Sequence, residues 1–327
     1  MILQRRTDSR WTKRVLIGVA LILGLILAGV GYRFFSVKAK LIDFGGHRLY
    51  LNCTGEGGPT VIMDAGMGGS SKAWSRIQPE IAKFTRVCTY DRANTGESDP
   101  VPKPRTIGQI VEDLHTLLIK AKVPAPYVLV GHSFGGMNVR MYAGKYPADV
   151  AGMVLVDSSL EDLFARYDTF ISPESMKRKR ARIADNPEGI DWEMACAQVR
   201  AANWHSDIPL IVLTQGKEED WNKIAPEDVE TVKKMGQVFR ELQADLARRS
   251  TNSKQIIAER SGHNIHDDQP ELVIDSIHQV VEAVRRKTSL NARKYFRATT
   301  YPMPLSNKSF KPIRDHIASI RLCKSQH

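Results

Sequence analysis

Between its two ends the chain has no surplus of positive charge, although its 327 residues carry a formal net charge of +11. Residues 1–40 hold eight Lys/Arg against Asp8, and residues 290–327 hold eight against Asp315, which is +7 at each end. Removing both from +11 leaves −3 for the body between them. A nucleic-acid-binding body needs cations where it meets the phosphates, so the basic total gives no reason to expect a nucleic-acid partner. Clustered metal ligands are scarce as well. His263 and His266 form a His-x-x-His pair followed by Asp267 and Asp268, but no second ligand cluster completes a site. Neither a metal nor a cofactor is expected.

What the chain does have is Gly131-His132-Ser133-Phe134-Gly135, directly after the apolar run Tyr127-Val128-Leu129-Val130 and before a helix-like stretch from Met137 to Tyr146. A serine that projects from a tight strand-to-helix turn sits in a strained backbone, and only hydrogen fits at the flanking positions. Such a serine needs a histidine as general base, an acid to orient it and amides for the oxyanion. His263 follows the strand-like run Gln255-Ile256-Ile257-Ala258 late in the chain, as the order Ser, acid, His requires; His266 is its nearest competitor. The strand-like Thr60-Val61-Ile62-Met63 runs into the turn Asp64-Ala65-Gly66-Met67-Gly68-Gly69-Ser70-Ser71. There bare backbone amides can approach an oxygen. Its Met67 amide and the Phe134 amide are the expected oxyanion donors.

At these residues the chain resembles the α/β-hydrolase superfamily, in an esterase-like branch, over about residues 41–287. The stretches that carry the likeness are PTVIMDAGMGGSSKAW, VCTYDRANTGESDP, GHSFGGMNVRMYAGKYP, VAGMVLVDSSLED and SGHNIHDDQPELV. The resemblance implies an α/β fold: a mostly parallel eight-stranded sheet with helices on both faces and the site at the strands' carboxyl ends. Strand-like runs at 60–63, 86–90, 127–130, 153–156, 209–213 and 255–258 alternate with helical segments, in agreement. Tyr90-Asp91-Arg92 with Gly96 and Ser98 matches the superfamily's turn after the fourth strand and reads as scaffolding.

Two carboxylates compete for the acid. Most of the superfamily places it after the seventh strand, where Thr214 to Trp221 supply Asp220 but no clear Gly-x-x-Asp; Asp157 ends the sixth strand, a position some members use. Asp157 is the first choice and Asp220 the alternative. About fifty residues, 158–207, separate those strands and are expected to fold as a helical cap. Its basic helix, Met176 to Ile183, reads as a solvated face, with an anion-binding site as the alternative. Phe164, Tyr167, Phe170, Trp192 and Trp204 read mostly as cap core, with one or two of them lining the acyl pocket as the alternative.

The amino end is a basic segment, residues 1–14, followed by eighteen uncharged residues from Val15 to Tyr32. At ~1.5 Å per residue that is about 27 Å of helix, one hydrocarbon core. Residues 15–35 are expected to be a transmembrane signal anchor. Five basic residues before the run against three after put the amino end inside and the hydrolase domain outside. A cleaved signal peptide and a secreted form are the alternative. In the strand order the resemblance implies, Cys53 and Cys88 lie on neighbouring strands, so a disulfide is expected. It would add roughly 3–4 kcal/mol and require an oxidising compartment; two buried thiols are the alternative. Residues 288–327 read as a disordered basic tail.

The expected activity is that of a serine hydrolase on ester-like bonds of small or lipid-like molecules, through Ser133, His263 and Asp157. Aminopeptidase, thioesterase, lysophospholipase and slow-turnover ligand sensing remain as alternatives.

Overall fold

The computed structural model describes residues 39–202, 204, 206–217, 225 and 228–290. The expected anchor at 15–35, the alternative acid Asp220 and the tail beyond residue 290 lie outside the described residues. Among those described, no helix is long and apolar enough to cross a membrane.

The chain runs β1 (Lys40–Asp43), β2 (Arg48–Thr54), β3 (Thr60–Asp64), α1 (Gln78–Ile81), β4 (Val87–Tyr90), α2 (Ile107–Lys120), β5 (Tyr127–His132), α3 (Phe134–Lys145), β6 (Val150–Val156) and α4 (Leu163–Tyr167). It continues through α5 (Pro173–Ala184), α6 (Trp192–Ala202), β7 (Leu210–Gln215), α7 (Val229–Ala247), β8 (Ser253–Ala258), α8 (Ile265–Asp268) and α9 (Pro270–Arg286). The eight strands form one sheet in the order β1-β2-β4-β3-β5-β6-β7-β8. β2 is antiparallel to both of its neighbours and every other pair is parallel.

The central strands are apolar at successive positions because both of their faces are covered. Val61, Met63, Val128, Val130, Val154 and Val156 face α1 and the Val273, Ile277, Val280 and Val281 stripe of α9. Ile62, Leu129, Leu155 and Val212 face the other side, against Val111 and Leu114 of α2 and Val139 and Tyr142 of α3. Burying one such side chain fully is worth about 1.5–3 kcal/mol. Helix α2 starts at a reciprocal cap, in which the Thr106 hydroxyl accepts the Gln109 amide and the Gln109 side chain accepts the Thr106 amide.

Helices α4, α5 and α6 occupy the connection between β6 and β7. Tyr167, Ile171 and Met176 pack with Val238 of α7, and Ala195, Cys196 and Val199 of α6 pack on Ile107, Phe134 and Met137. Trp204 departs from the expectation of a cap-core residue: it joins the sheet core beside Leu246 and Leu210. Helix α3 also starts three residues earlier than its sequence suggests, at Phe134. Tight packing of Gly135 and Gly136 outweighs their low helix propensity.

Cys53 and Cys88 stand opposite each other in the β2–β4 register and are joined by a disulfide. Replacing both by alanine, or reducing the protein, is expected to lower stability by about 3 kcal/mol, a fall in Tm of roughly 6–12 °C for a domain of this size. Thermal unfolding with and without dithiothreitol measures it; coincident curves would mean that the bridge constrains nothing the fold does not already fix.

Candidate active site

Ser133 lies between the end of β5 and the start of α3 with φ 50° and ψ −119°, a region L-residues rarely enter. The glycines around it answer to packing. A Cβ on Gly131 would lie 2.5 Å from the Gly135 carbonyl oxygen, and one on Gly135 would lie 2.6 Å from the Ala65 carbonyl oxygen. The Ser133 hydroxyl is half-buried and is hydrogen-bonded to Ser159 Oγ at 3.3 Å. Ser159 is held in turn, since its amide donates to the Ser133 carbonyl (2.9 Å) and its carbonyl accepts from Arg140 (2.8 Å).

On the adjacent strand, Asp157 follows β6 and is fully buried. One carboxylate oxygen is 2.7 Å from His263 Nδ1, and the other accepts the Gln215 amide at 2.8 Å. Burial pushes this carboxyl above its ordinary range, against the pull of His263 and the Gln215 amide. Asp157, like Ser133, has positive φ (44°). His263 is brought in by the loop between β8 and α8, and its backbone carbonyl is bonded to His132 Nε2 at 3.0 Å. The His132 ring sits 4.8 Å from that of His263 and 4.4 Å from that of His266, which in turn packs 5.2 Å from Trp74. His266 therefore belongs to the packing behind His263. Among the described residues no group of three His, Cys, Asp or Glu is arranged to hold a metal ion.

The loop after β3 brings Met67 to the same end of the sheet. Among the described residues the Met67 and Phe134 amides have no hydrogen-bond partner, whereas the Gly68 amide donates to Glu188 (2.6 Å) and the Gly69 amide to the Gly66 carbonyl (3.0 Å). Phe134 opens α3, so its amide is one of the helix's free donors. Arg92, 3% exposed, holds the loop from below. It donates to the carbonyls of Ala65 (2.8 Å) and Gly66 (2.6 Å), pairs with Asp64 and binds both oxygens of Glu188 at 2.7 Å. Burial opposes the guanidinium's charge, but Glu188 and Asp64 outweigh it and raise its pKa well above the ordinary value. Asp64 also accepts from Tyr90 (2.7 Å) and Asn138 (3.1 Å). Glu188 comes from the cap, 96 residues after Arg92, and no local pattern announces it. His132 could have been noticed, as the variable residue of the serine pentapeptide.

A serine at a strand-to-helix elbow on a doubly covered parallel sheet is an arrangement of hydrolases, and the relatives agree. Residues 59–202 match the alpha/beta hydrolase fold family. The chain is 32% identical to the uncharacterized protein YqjL of Bacillus subtilis over 227 residues, which is 69% of this chain and 85% of that one. Other relatives are longer, and the chain spans 44% of one and 18% of another. The solved lip1 protein of Acinetobacter baumannii AYE superimposes with TM-score 0.58 at 18% identity, covering 77% of this chain and 93% of that one. A thermophilic esterase from Thermogutta terrifontis does so with TM-score 0.53 at 21% identity, covering 76% and 99%. The chain belongs to the α/β-hydrolase superfamily, and its fold is shared with these solved structures.

The buried histidines make the site acid-sensitive. Burial, and then the neighbouring histidines, push His132 well below its ordinary pKa of 6.5; burial lowers that of His266. A base with a depressed folded pKa favours the fold above its unfolded pKa and loses that support as pH falls below it. Stability is therefore expected to drop from about pH 6.5 downward, by up to ~1.4 kcal/mol per pH unit for each histidine. His132→Gln with His266→Gln should flatten Tm against pH between pH 7 and 5; an unchanged slope would place the acid sensitivity elsewhere.

Proposed function

We propose that this protein is a serine hydrolase that cleaves ester-like bonds of small or lipid-like molecules, with Ser133 as nucleophile, His263 as general base and Asp157 as the acid that orients it. The observation that carries this reading is the 2.7 Å hydrogen bond between His263 Nδ1 and Asp157, on the strand next to the strained Ser133. A neutral imidazole that donates from Nδ1 to a carboxylate leaves Nε2 unprotonated, and a base must be in that state to take a serine proton. The Ser133 hydroxyl rests on Ser159 through a long hydrogen bond, so turning it toward His263 gives up little. As Oγ attacks an ester carbonyl, the developing oxyanion takes the spare amides of Met67 and Phe134. Losing one such donor typically costs about 2.7–4 kcal/mol of barrier. His263 then protonates the leaving alcohol, and water attacks the acyl-enzyme by the same route.

The uncharged run from Val15 to Tyr32 and the basic residues before it support reading residues 15–35 as a signal anchor, with the hydrolase domain on the outer face. The Cys53–Cys88 bridge favours an oxidising compartment. Washing membranes with alkaline carbonate is expected to leave the full chain in the pellet; release into the supernatant would remove the anchor from the account.

The catalytic assignment is tested by ester turnover and fluorophosphonate labelling. Ser133→Ala should abolish both, and Asp157→Asn should lower turnover by roughly 10⁴-fold. Loss on Asp220→Asn in place of Asp157→Asn would move the acid to Asp220. A folded wild type that neither labels nor turns over any ester would end the hydrolase reading.

A further inference from the structure

The basic run on α5 reads from sequence as a solvated face, yet its charges are not equivalent. Arg178 pairs with Glu174 (3.2 Å), and Arg180 pairs with Asp168 (2.6 Å) and Glu193 (3.4 Å). Lys179 and Arg182 have no carboxylate within ion-pairing distance among the described residues. Lys179 also departs from the solvent side. It shares a helix face, three residues on and four residues back, with buried Met176 and half-buried Ile183, and is itself half-buried.

That face opens on a cavity of about 430 Å³ lined by Lys179 and Arg182 together with Met67, Phe164 and Tyr167. Met67 is the residue whose amide is a spare donor of the loop after β3, so the cavity borders the reacting end of the sheet. Asp185 is the one carboxylate in the lining and pairs with neither cation. The wall is fixed to that loop: Pro187 would meet a Cβ on Gly68 at 2.9 Å, and Glu188 binds the Gly68 amide. Burial, and then the charge of Arg182, push the Lys179 ammonium below its ordinary range. Lys179 is half-buried on that wall and Arg182 is exposed beside it; two like charges with no carboxylate partner among the described residues repel each other, and an anion between them relieves both.

We propose that this cavity is an anion-binding subsite in which Lys179 and Arg182 recognise a carboxylate or phosphate carried by the molecule that Ser133 attacks. Calling that molecule a substrate rests on the hydrolase reading; the anion site does not. Two charged cations suit an oxyacid group with two or more acceptor oxygens, and the aromatic and aliphatic remainder of the lining suits a short carbon chain between that group and the scissile bond.

The test uses the full chain in mild detergent, with Ser133→Ala so that ligands bind without turnover. Calorimetric titration compares monomethyl glutarate with methyl valerate, its neutral counterpart of equal acyl length, and 2-acetoxyethyl phosphate with ethylene glycol monoacetate. One charged ester is expected to bind roughly tenfold or more tightly than its neutral partner, and the preferred pair tells carboxylate from phosphate. Adding Lys179→Ala with Arg182→Ala should erase that ratio, whereas the charge-keeping exchange Lys179→Arg with Arg182→Lys should retain most of it. Equal binding within both pairs, or a preference that survives the double alanine change, overturns the proposal. Turnover of the same esters by protein with Ser133 intact separates the two readings. Charge-selective binding without turnover removes the hydrolase and leaves the anion site; turnover without charge selection does the reverse.

Discussion

The end of the sheet that carries Ser133 depends on one buried cation. Arg92 reaches from the turn after β4 to Asp64 at the end of β3, to two carbonyls of the loop that follows, and to Glu188 of the cap. A guanidinium this deeply buried survives only when charge and hydrogen-bonding capacity are both met. The planar fork of Arg meets them in several directions at once, which a lysine could not do. Asp64 is satisfied independently by Tyr90 and Asn138, so the carboxylate that fixes Arg92 is fixed itself. The consequence is local rigidity in a glycine-rich loop that would otherwise be free, and hence a defined position for the Met67 amide.

A second constraint comes from the backbone. Ser133 and Asp157 end adjacent parallel strands, and both have positive φ. Glycine would adopt either conformation without strain, but glycine brings no hydroxyl and no carboxylate. Strain of order 1–3 kcal/mol at each position persists because the surroundings leave no alternative. The Ser133 amide is tied to the Val156 carbonyl and the Asp157 amide to the Leu213 carbonyl, while Gly135 is closed in by the Asp64 and Ala65 carbonyls. Parallel strands in register carry the two side chains to the same edge, and the β8–α8 loop brings His263 to them.

Much of this was legible in the chain because it rests on local patterns. The continuous apolar runs gave the central strands, since a strand covered on both faces leaves no polar side to read. The glycines around Ser133 gave the elbow, and the resemblance supplied a strand order in which Cys53 and Cys88 are neighbours. The charged contacts were not legible. Glu188 meets Arg92 across 96 residues, and nothing around Glu188 distinguishes it from any acid in a helical connection. The basic run on α5 is hard to read for the same reason: its residues differ only in which acids the fold delivers to them. Between Asp157 and Asp220 local sequence could not choose, because the choice depends on which carboxylate the fold carries to the His263 ring.

Glu188 also makes the cap more than a cover. It neutralises Arg92 and takes the Gly68 amide, so lifting this part of the cap would leave a buried guanidinium short of a partner and a loop amide unpaired. Removing one member of a buried ion pair typically costs 3–5 kcal/mol, far more than separating exposed pairs such as Arg180–Asp168, which contribute ~1 kcal/mol or less. The outer parts of α4 and α5 are tied down instead by exposed ion pairs and by the apolar contacts of Tyr167, Ile171 and Met176 with Val238, none of which buries a charge. Within one insertion, residues 187–188 are thus the part bound by buried charge to the loop after β3, while the outer helices are held by packing and exposed pairs.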